Sequence, residues 1–235
     1  MGPKSRAFSA FLLLAAAPLV AALPSIKGEL TDDDPLHPDY GVPADEHQFE
    51  AKEGQLMVIT VRPTPAEADT VLFLAGPSGQ SFANDDAPDG EGGSQLEVVA
   101  EEGGSWTATV GGLTEDVRCA YTLTIEQRTL ELATKGNGEL TDDDRVLLKA
   151  GERADVLDFD VVAGAAYVVQ LVSEDFDAFL SVHLNGEVLT SDDHFEMNSQ
   201  VTFTALEAGK AKLVFTSSGA EGRGRYGYKV FRVKG

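Results

Sequence analysis

The sequence predicts an all-β protein: two tandem antiparallel β-sandwiches following a secretory signal. Three observations lead there. The heptapeptide Gly-Glu-Leu-Thr-Asp-Asp-Asp occurs twice, opening at Gly28 and again at Gly138, 110 residues apart, and self-similarity at a fixed spacing marks a repeated structural unit. Each copy is built of short apolar/polar alternations, the pattern of half-buried strands. Turn residues separate these runs every few residues, and beyond the first segment no helical period is sustained.

At the N-terminus Lys4 and Arg6 precede an apolar run over residues 8–23 that ends in Val20, Ala21 and Ala22. A charged start, an apolar stretch and small residues before a cleavage point make a secretory signal. The run falls short of the roughly 20 apolar residues a bilayer span needs. Residues 1–22 are therefore expected to be removed between Ala22 and Leu23, leaving a mature protein without a stable membrane anchor, extracellular or periplasmic. The single Cys119 forms no intramolecular disulfide and is expected to be a small buried thiol.

The first domain is expected over residues 28–127, a linker over 128–137 and the second domain over 138–235. Asp45, Phe49 and Gly54 return at the heptapeptide's spacing as Asp155, Phe159 and Gly164. Asp69, Asp85-Asp86, Trp106 and Tyr121 then match Asp177, Asp192-Asp193, Ala211 and Tyr226 at shrinking offsets, as loop deletions between fixed strands produce. Trp106, Ala108 and Val110 share one strand face, as do Ala211, Leu213 and Phe215, and an inward Trp106 is expected in the core. The continuously apolar runs 56–61 and 166–172 read as central strands. Gly76-Pro77-Ser78-Gly79 in one copy and Asn185-Gly186 in the other solve the same turn with different residues.

Charge narrows the partners. The chain carries 39 Asp and Glu against 18 Lys and Arg, a formal net charge of −21, and lacks the basic stripe that releases counterions from a phosphate backbone, so nucleic acid is excluded. Residues 28–127 hold 21 acidic groups against Lys52, Arg62 and Arg118, a net −18, whereas residues 138–235 stand at −7. Late basic residues, Arg223, Arg225, Lys229, Arg232 and Lys234, are expected on a charge-protected edge strand.

The order of features resembles the bacterial pre-peptidase C-terminal domain, similar in fold to the collagen-binding domain of clostridial collagenases. A Gly-Glu-Leu opening leads to Asp-x-x-x-Phe (Asp45 to Phe49, Asp155 to Phe159), a Gly-led strand (Gly54, Gly164), Asp-x-x-Leu (Asp69 to Leu72, Asp177 to Leu180), a Gly turn, an Asp-Asp pair and a closing Tyr-led strand at Tyr121 or Tyr226. The second copy departs from the pattern at 210–212, where the family usually has Gly-x-Tyr. The resemblance implies jelly-roll sandwiches, accessory modules of secreted hydrolases, some of which bind calcium.

Catalytic signatures are absent from the sequence. His37, His47, His183 and His194 form no His-Glu-x-x-His pair, and no Gly-x-Ser-x-Gly elbow occurs. Residues 222–227 match a dinucleotide glycine pattern but precede a strand rather than a helix. His194, beside an Asp pair, is expected on a surface loop. The expectation is thus a non-enzymatic binding or accessory module for an extracellular protein or polysaccharide; the alternative is a glycosidase-like hydrolase using groove carboxylates.

Calcium ligands are sought where carboxylates cluster in matching loops: Glu29, Asp32, Asp33, Asp34, Asp85, Asp86 and Asp89 in the first copy, and Glu139, Asp142, Asp192 and Asp193 in the second. Calcium takes six to eight oxygens, and clustered carboxylates that repel one another are ordered by a divalent cation. Calcium is therefore expected to stabilise the fold by about 2.7 kcal/mol at 100 times its dissociation constant, and magnesium by less. Thermal unfolding in calcium, magnesium and chelator measures this; equal midpoints would leave the acidic loops as solvated surface.

Overall fold

The computed structural model describes residues 21–88, 90–146, 151–191, 194 and 197–234. The chain divides into two compact units, one ending at Leu130 and joined by Lys234, the other spanning Glu131–Val233. No helix among the described residues is long and apolar enough to cross a membrane.

In the first unit the strands are Ala21–Ala22 (β1), Ile26–Leu30 (β2), Ala44–Ala51 (β3), Gln55–Thr64 (β4), Thr70–Ala75 (β5), Ser81–Asn84 (β6), Ser94–Val99 (β7), Gly104–Gly112 (β8) and Cys119–Leu140 (β9). They form two antiparallel sheets, β2-β9-β4-β7 and β3-β8-β5-β6, with β1 also paired to β9. The second unit adds Ala154–Val161 (β10), Ala166–Val172 (β11), Ala178–Leu184 (β12), Glu187–Ser191 (β13), Ser199–Thr204 (β14), Gly209–Ser217 (β15) and Gly224–Val233 (β16). Its sheets run β14-β11-β16, with β16 also bordering β9, and β10-β15-β12-β13.

Counting the Gly-Glu-Leu strand as first, both units have the order 1-8-3-6 in one sheet and 2-7-4-5 in the other, the connectivity of an eight-stranded jelly roll. Strand β9 serves twice: residues up to Leu130 close the first unit, and residues 138–140 open the second. The span 128–137, read from sequence as a linker, lies inside this strand.

The duplicated residues have duplicated jobs. Tyr121 on β9 donates its phenol O–H to Asp45 on β3 at 2.6 Å, and Tyr226 on β16 donates to Asp155 on β10 at 2.6 Å. Each bond crosses from one sheet of its sandwich to the other. Each ring lies over a glycine: a Cβ on Gly28 would run into Tyr121, and one on Gly138 into Tyr226. Leu30 and Leu140 follow as core residues. The turns match too, since Gly54 and Gly164 take φ of 77° and 76°, a left-handed conformation that glycine adopts without a Cβ clash. Asn185 and Gly186 have φ of 52° and 87°, as a two-residue hairpin with positive φ at both places requires.

The cores fill the same space with different side chains. Trp106, 1% exposed, lies opposite Phe49 in the first unit. At the equivalent place in the second unit Phe159 faces the small Ala211. The volume is made up from the other sheet: Tyr167 packs edge-on to Phe159 at 5.5 Å and stacks on Phe203 at 5.4 Å, where the first unit has Met57 and Val98. Close packing demands such compensation, because a void forfeits contacts.

One expectation is overturned. The basic residues of β16 do not lie on an edge, since β16 is flanked by β11 and β9. Arg225, Lys229 and Arg232 thus sit on an interior strand, with Arg223 and Lys234 just beyond its two ends, and their function is not edge protection.

Replacing Tyr226 by Phe removes one inter-sheet hydrogen bond to a carboxylate and is expected to cost about 1–2 kcal/mol. Gly138→Ala must displace the whole ring and is expected to cost more. Urea unfolding of both variants tests the order; a neutral Gly138→Ala would show that the ring does not need its glycine seat.

Candidate functional site

The acidic heptapeptides resolve into turn architecture. Asp34 accepts the Thr31 N–H at 2.6 Å, and Asp144 accepts the Thr141 N–H at 2.5 Å and its hydroxyl at 3.0 Å. Asp32 pairs with Arg118, whose Nε lies 2.8 Å away, and Asp142 with the Arg223 Nε at 3.0 Å. Each arginine also donates Nη1 to two backbone carbonyls, Glu115 and Val117 in one unit, Ala220 and Gly222 in the other. The sequence signal for this clamp is Arg-x-x-Tyr, present as Arg118 to Tyr121 and Arg223 to Tyr226.

The other expected ligands are dispersed. Glu29 and Glu139 are exposed on strands, and Asp33, Asp85 and Asp86 are exposed. The Asn84 side chain, not a carboxylate, organises the second acidic loop by donating to the Asp86 and Gln95 carbonyls at 2.9 and 2.8 Å. Among the described residues no three His, Cys, Asp or Glu side chains are grouped to hold a metal. Asp89, Asp192 and Asp193 lie outside the described residues.

A different feature stands out on the first unit. On β5, Leu72 and Leu74 point into the core, so Phe73 between them points to the outer face of its sheet. The loop between β2 and β3 folds back over it, tied by His37 N–H to the Val42 carbonyl at 2.7 Å and Gly41 N–H to the His37 carbonyl at 2.8 Å. The ring of His37 lies 4.3 Å from Phe73 and that of Tyr40 lies 4.8 Å from it, tilted 30° and 33°. His37 and Tyr40 meet edge to face at 5.1 Å. Phe73 is thereby buried, while Tyr40 remains 63% exposed and Leu36 62% exposed. Tyr40 thus packs against Phe73 and still keeps most of its surface in solvent. The second copy has no such trio at the matching strand position, where Ser181 bonds its neighbour His183 at 3.1 Å.

His47 is a second difference between copies, occupying the place of Leu157. The Tyr121 hydroxyl spends its only proton on Asp45, so the His47 Nε2–H, 2.7 Å away, donates to the phenol oxygen. Burial pushes the His47 imidazole below its ordinary value, opposed by the charge of Asp45. Burial and the Asp45 hydrogen bond drive the Tyr121 phenol far above its ordinary range. His194, expected on a surface loop, is partly covered, and burial pushes it down to about 4. Cys119 is buried with its thiol pushed up, an inert environment rather than a nucleophile's.

The second unit carries a shallow depression of about 220 Å³ at the β12–β13 hairpin, lined by His183, Glu187, Lys210 and Lys212 among others. Both lysines are engaged with strand β10, Lys210 with Asp160 at 3.0 Å and Lys212 with Asp158 at 3.5 Å. Exposed pairs of this kind contribute little, and the volume is below that of usual ligand pockets.

No family model matches the chain, and no curated protein matches it. Among solved structures it is similar to the CUB1-EGF-CUB2 region of human MASP-1/3, with 9% identity over 87% of this chain and 98% of that one, at a TM-score of 0.24. It is also similar to the tandem CBM22-1-CBM22-2 domains of Paenibacillus barcinonensis Xyn10C, with 8% identity over 94% and 100% of the two chains and a TM-score of 0.25. Tripeptidyl peptidase 2 aligns at 10% identity over 92% of this chain and 24% of its own, with a TM-score of 0.28. Scores this low say nothing about function, and the jelly-roll assignment rests on strand order alone.

Because His47 is held neutral by burial, its protonation opposes the folded state. The native form then binds fewer protons than the unfolded form just below pH 6.5, so stability is lost as pH falls from there. Between pH 7 and 5 the parent is expected to lose more thermal midpoint than a His47→Leu variant, which imitates the second copy. Parallel pH profiles for the two proteins would show that His47 is not the sensitive group.

Proposed function

We propose that the protein is a secreted, non-catalytic binding module of two jelly rolls, and that it engages its partner, an extracellular protein or polysaccharide, through the outer face of the first unit at Tyr40. The observation that carries this is an aromatic trio built on a rigid sheet with one ring left 63% exposed. Aromatic rings with a free face and little conformational freedom are the usual anchors of recognition. The second copy keeps the same frame without the trio, so the frame does not require it. Supporting the non-catalytic reading, the repeated aspartates Asp32, Asp34 and Asp45, with Asp142, Asp144 and Asp155, are engaged in an arginine clamp, turn capping and the inter-sheet bonds. The order of motifs shared with pre-peptidase C-terminal domains supports an accessory role beside a secreted hydrolase.

The test is binding of the mature protein to a panel of insoluble polysaccharides and purified extracellular matrix proteins, parent against Tyr40→Ala. For whichever ligand is held, the substitution is expected to weaken binding about tenfold, with a modest drop in the unfolding midpoint from uncovering Phe73 and no loss of the cooperative transition. A ligand held equally well by both proteins would place the binding face elsewhere.

A further inference from the structure

Resting on the reading of Tyr40 as the binding face, we infer that this face takes an arginine side chain from an extended segment of an extracellular polypeptide. Tyr40 offers a flat ring that is braced by Phe73 and largely exposed to solvent. An aromatic face is electrostatically negative and attracts a cation lying over it. Its surroundings have the same sign. Asp33 and Asp39 are exposed on the same loop. Glu46, exposed on β3, stands in the same cross-sheet row as Phe73, with Thr109 between them.

None of these three carboxylates has a side-chain partner among the described residues, in contrast to Asp32 and Asp34, which the clamp and the turn consume. Around them residues 28–127 carry a net −18, a field that repels anionic polymers and concentrates cations. Ring and charge together select a cation over a neutral sugar.

Between the two cationic side chains the geometry favours arginine. Its guanidinium is planar and weakly hydrated, stacks on an aromatic ring and leaves its edge free to meet a carboxylate by two parallel hydrogen bonds. An ammonium is compact and strongly hydrated and gains less from a flat platform. The His37 ring, which helps hold the platform, accepts the Asp39 N–H at 3.3 Å, so the loop that presents Tyr40 also fixes the backbone of its acidic neighbour. A ring this exposed, beside an equally exposed Leu36, suits a side chain presented by an extended chain rather than a free small molecule, which is held in a concave pocket.

The experiment is calorimetric titration of the full mature protein with oligoarginine, with oligolysine of equal length, and with a neutral glucan oligosaccharide, at low and physiological salt. Parent, Tyr40→Ala and an Asp39→Asn, Glu46→Gln double variant are compared. Oligoarginine is expected to bind the parent about fivefold tighter than oligolysine. Tyr40→Ala should erase that preference, and the double variant should weaken both peptides and flatten the salt dependence. Equal binding of the two peptides, unaffected by Tyr40→Ala, would reduce the effect to diffuse charge and overturn the inference. Glucan binding that depends on Tyr40, without an arginine preference, would overturn the ligand class while leaving the binding face standing. No Tyr40-dependent binding of any probe, together with a Tyr40-independent ligand in the panel above, would sink both.

Discussion

Each sandwich depends on one hydrogen bond from a tyrosine in one sheet to an aspartate in the other, Tyr121 to Asp45 and Tyr226 to Asp155. The rest of the repeated sequence follows from seating that tyrosine. The ring needs a strand beside it with no side chain at the point of contact, hence Gly28 and Gly138. The chain must then turn away at once, and Asp34 or Asp144 closes that turn on the N–H of the threonine three residues earlier. An arginine three residues before the tyrosine ties the turn back to the closing strand through Asp32 or Asp142. Glycine, threonine, two aspartates, arginine and tyrosine therefore form one mechanical unit, and changing any of them in one copy would disturb the others, as happens when groups share partners.

With the frame fixed in this way, the two copies were free to differ elsewhere. The core redistributed its aromatic volume, from Trp106 on one sheet to Tyr167 and Phe203 on the other. On the outside, the first unit gained the Tyr40 platform and an almost purely acidic face, while the second acquired lysines that pair across strands with Asp158 and Asp160. The inter-sheet bond also picked up a histidine in only one copy. His47 donates into the same phenol oxygen, so one unit couples its sheet-to-sheet link to an imidazole that burial pushes below its ordinary value, and the other, with Leu157, does not.

Much of the fold was legible because it is written in periodicity and turns. The alternation around Trp106, the glycines at 54 and 164 and the Asn185-Gly186 pair lead directly to the observed strands and hairpins. The acidic clusters were legible as clusters, but the turn cap and the arginine pairing within them were not, because these depend on where Thr31 and Arg118 come to lie. Charge misled at β16, because exposed lysines and arginines along a strand say nothing about which strands lie beside it. The Tyr40 platform was hidden for a related reason. Phe73 sits in a run of five apolar residues, Val71 to Ala75, which reads as buried on both faces, and sequence does not show that a loop thirty-odd residues earlier supplies the cover.

Trp106 is the sole tryptophan of the chain and belongs wholly to the core of the first unit, where its indole N–H finds no acceptor among the described residues. An indole in a dry, unbonded environment emits at the blue end of its range and shifts red on meeting water. The protein thus carries its own optical label on one half only. Tryptophan emission follows the opening of the first jelly roll and is blind to the second, so, set beside a signal from the whole backbone, it lets the melting of that half be told apart without attaching a dye.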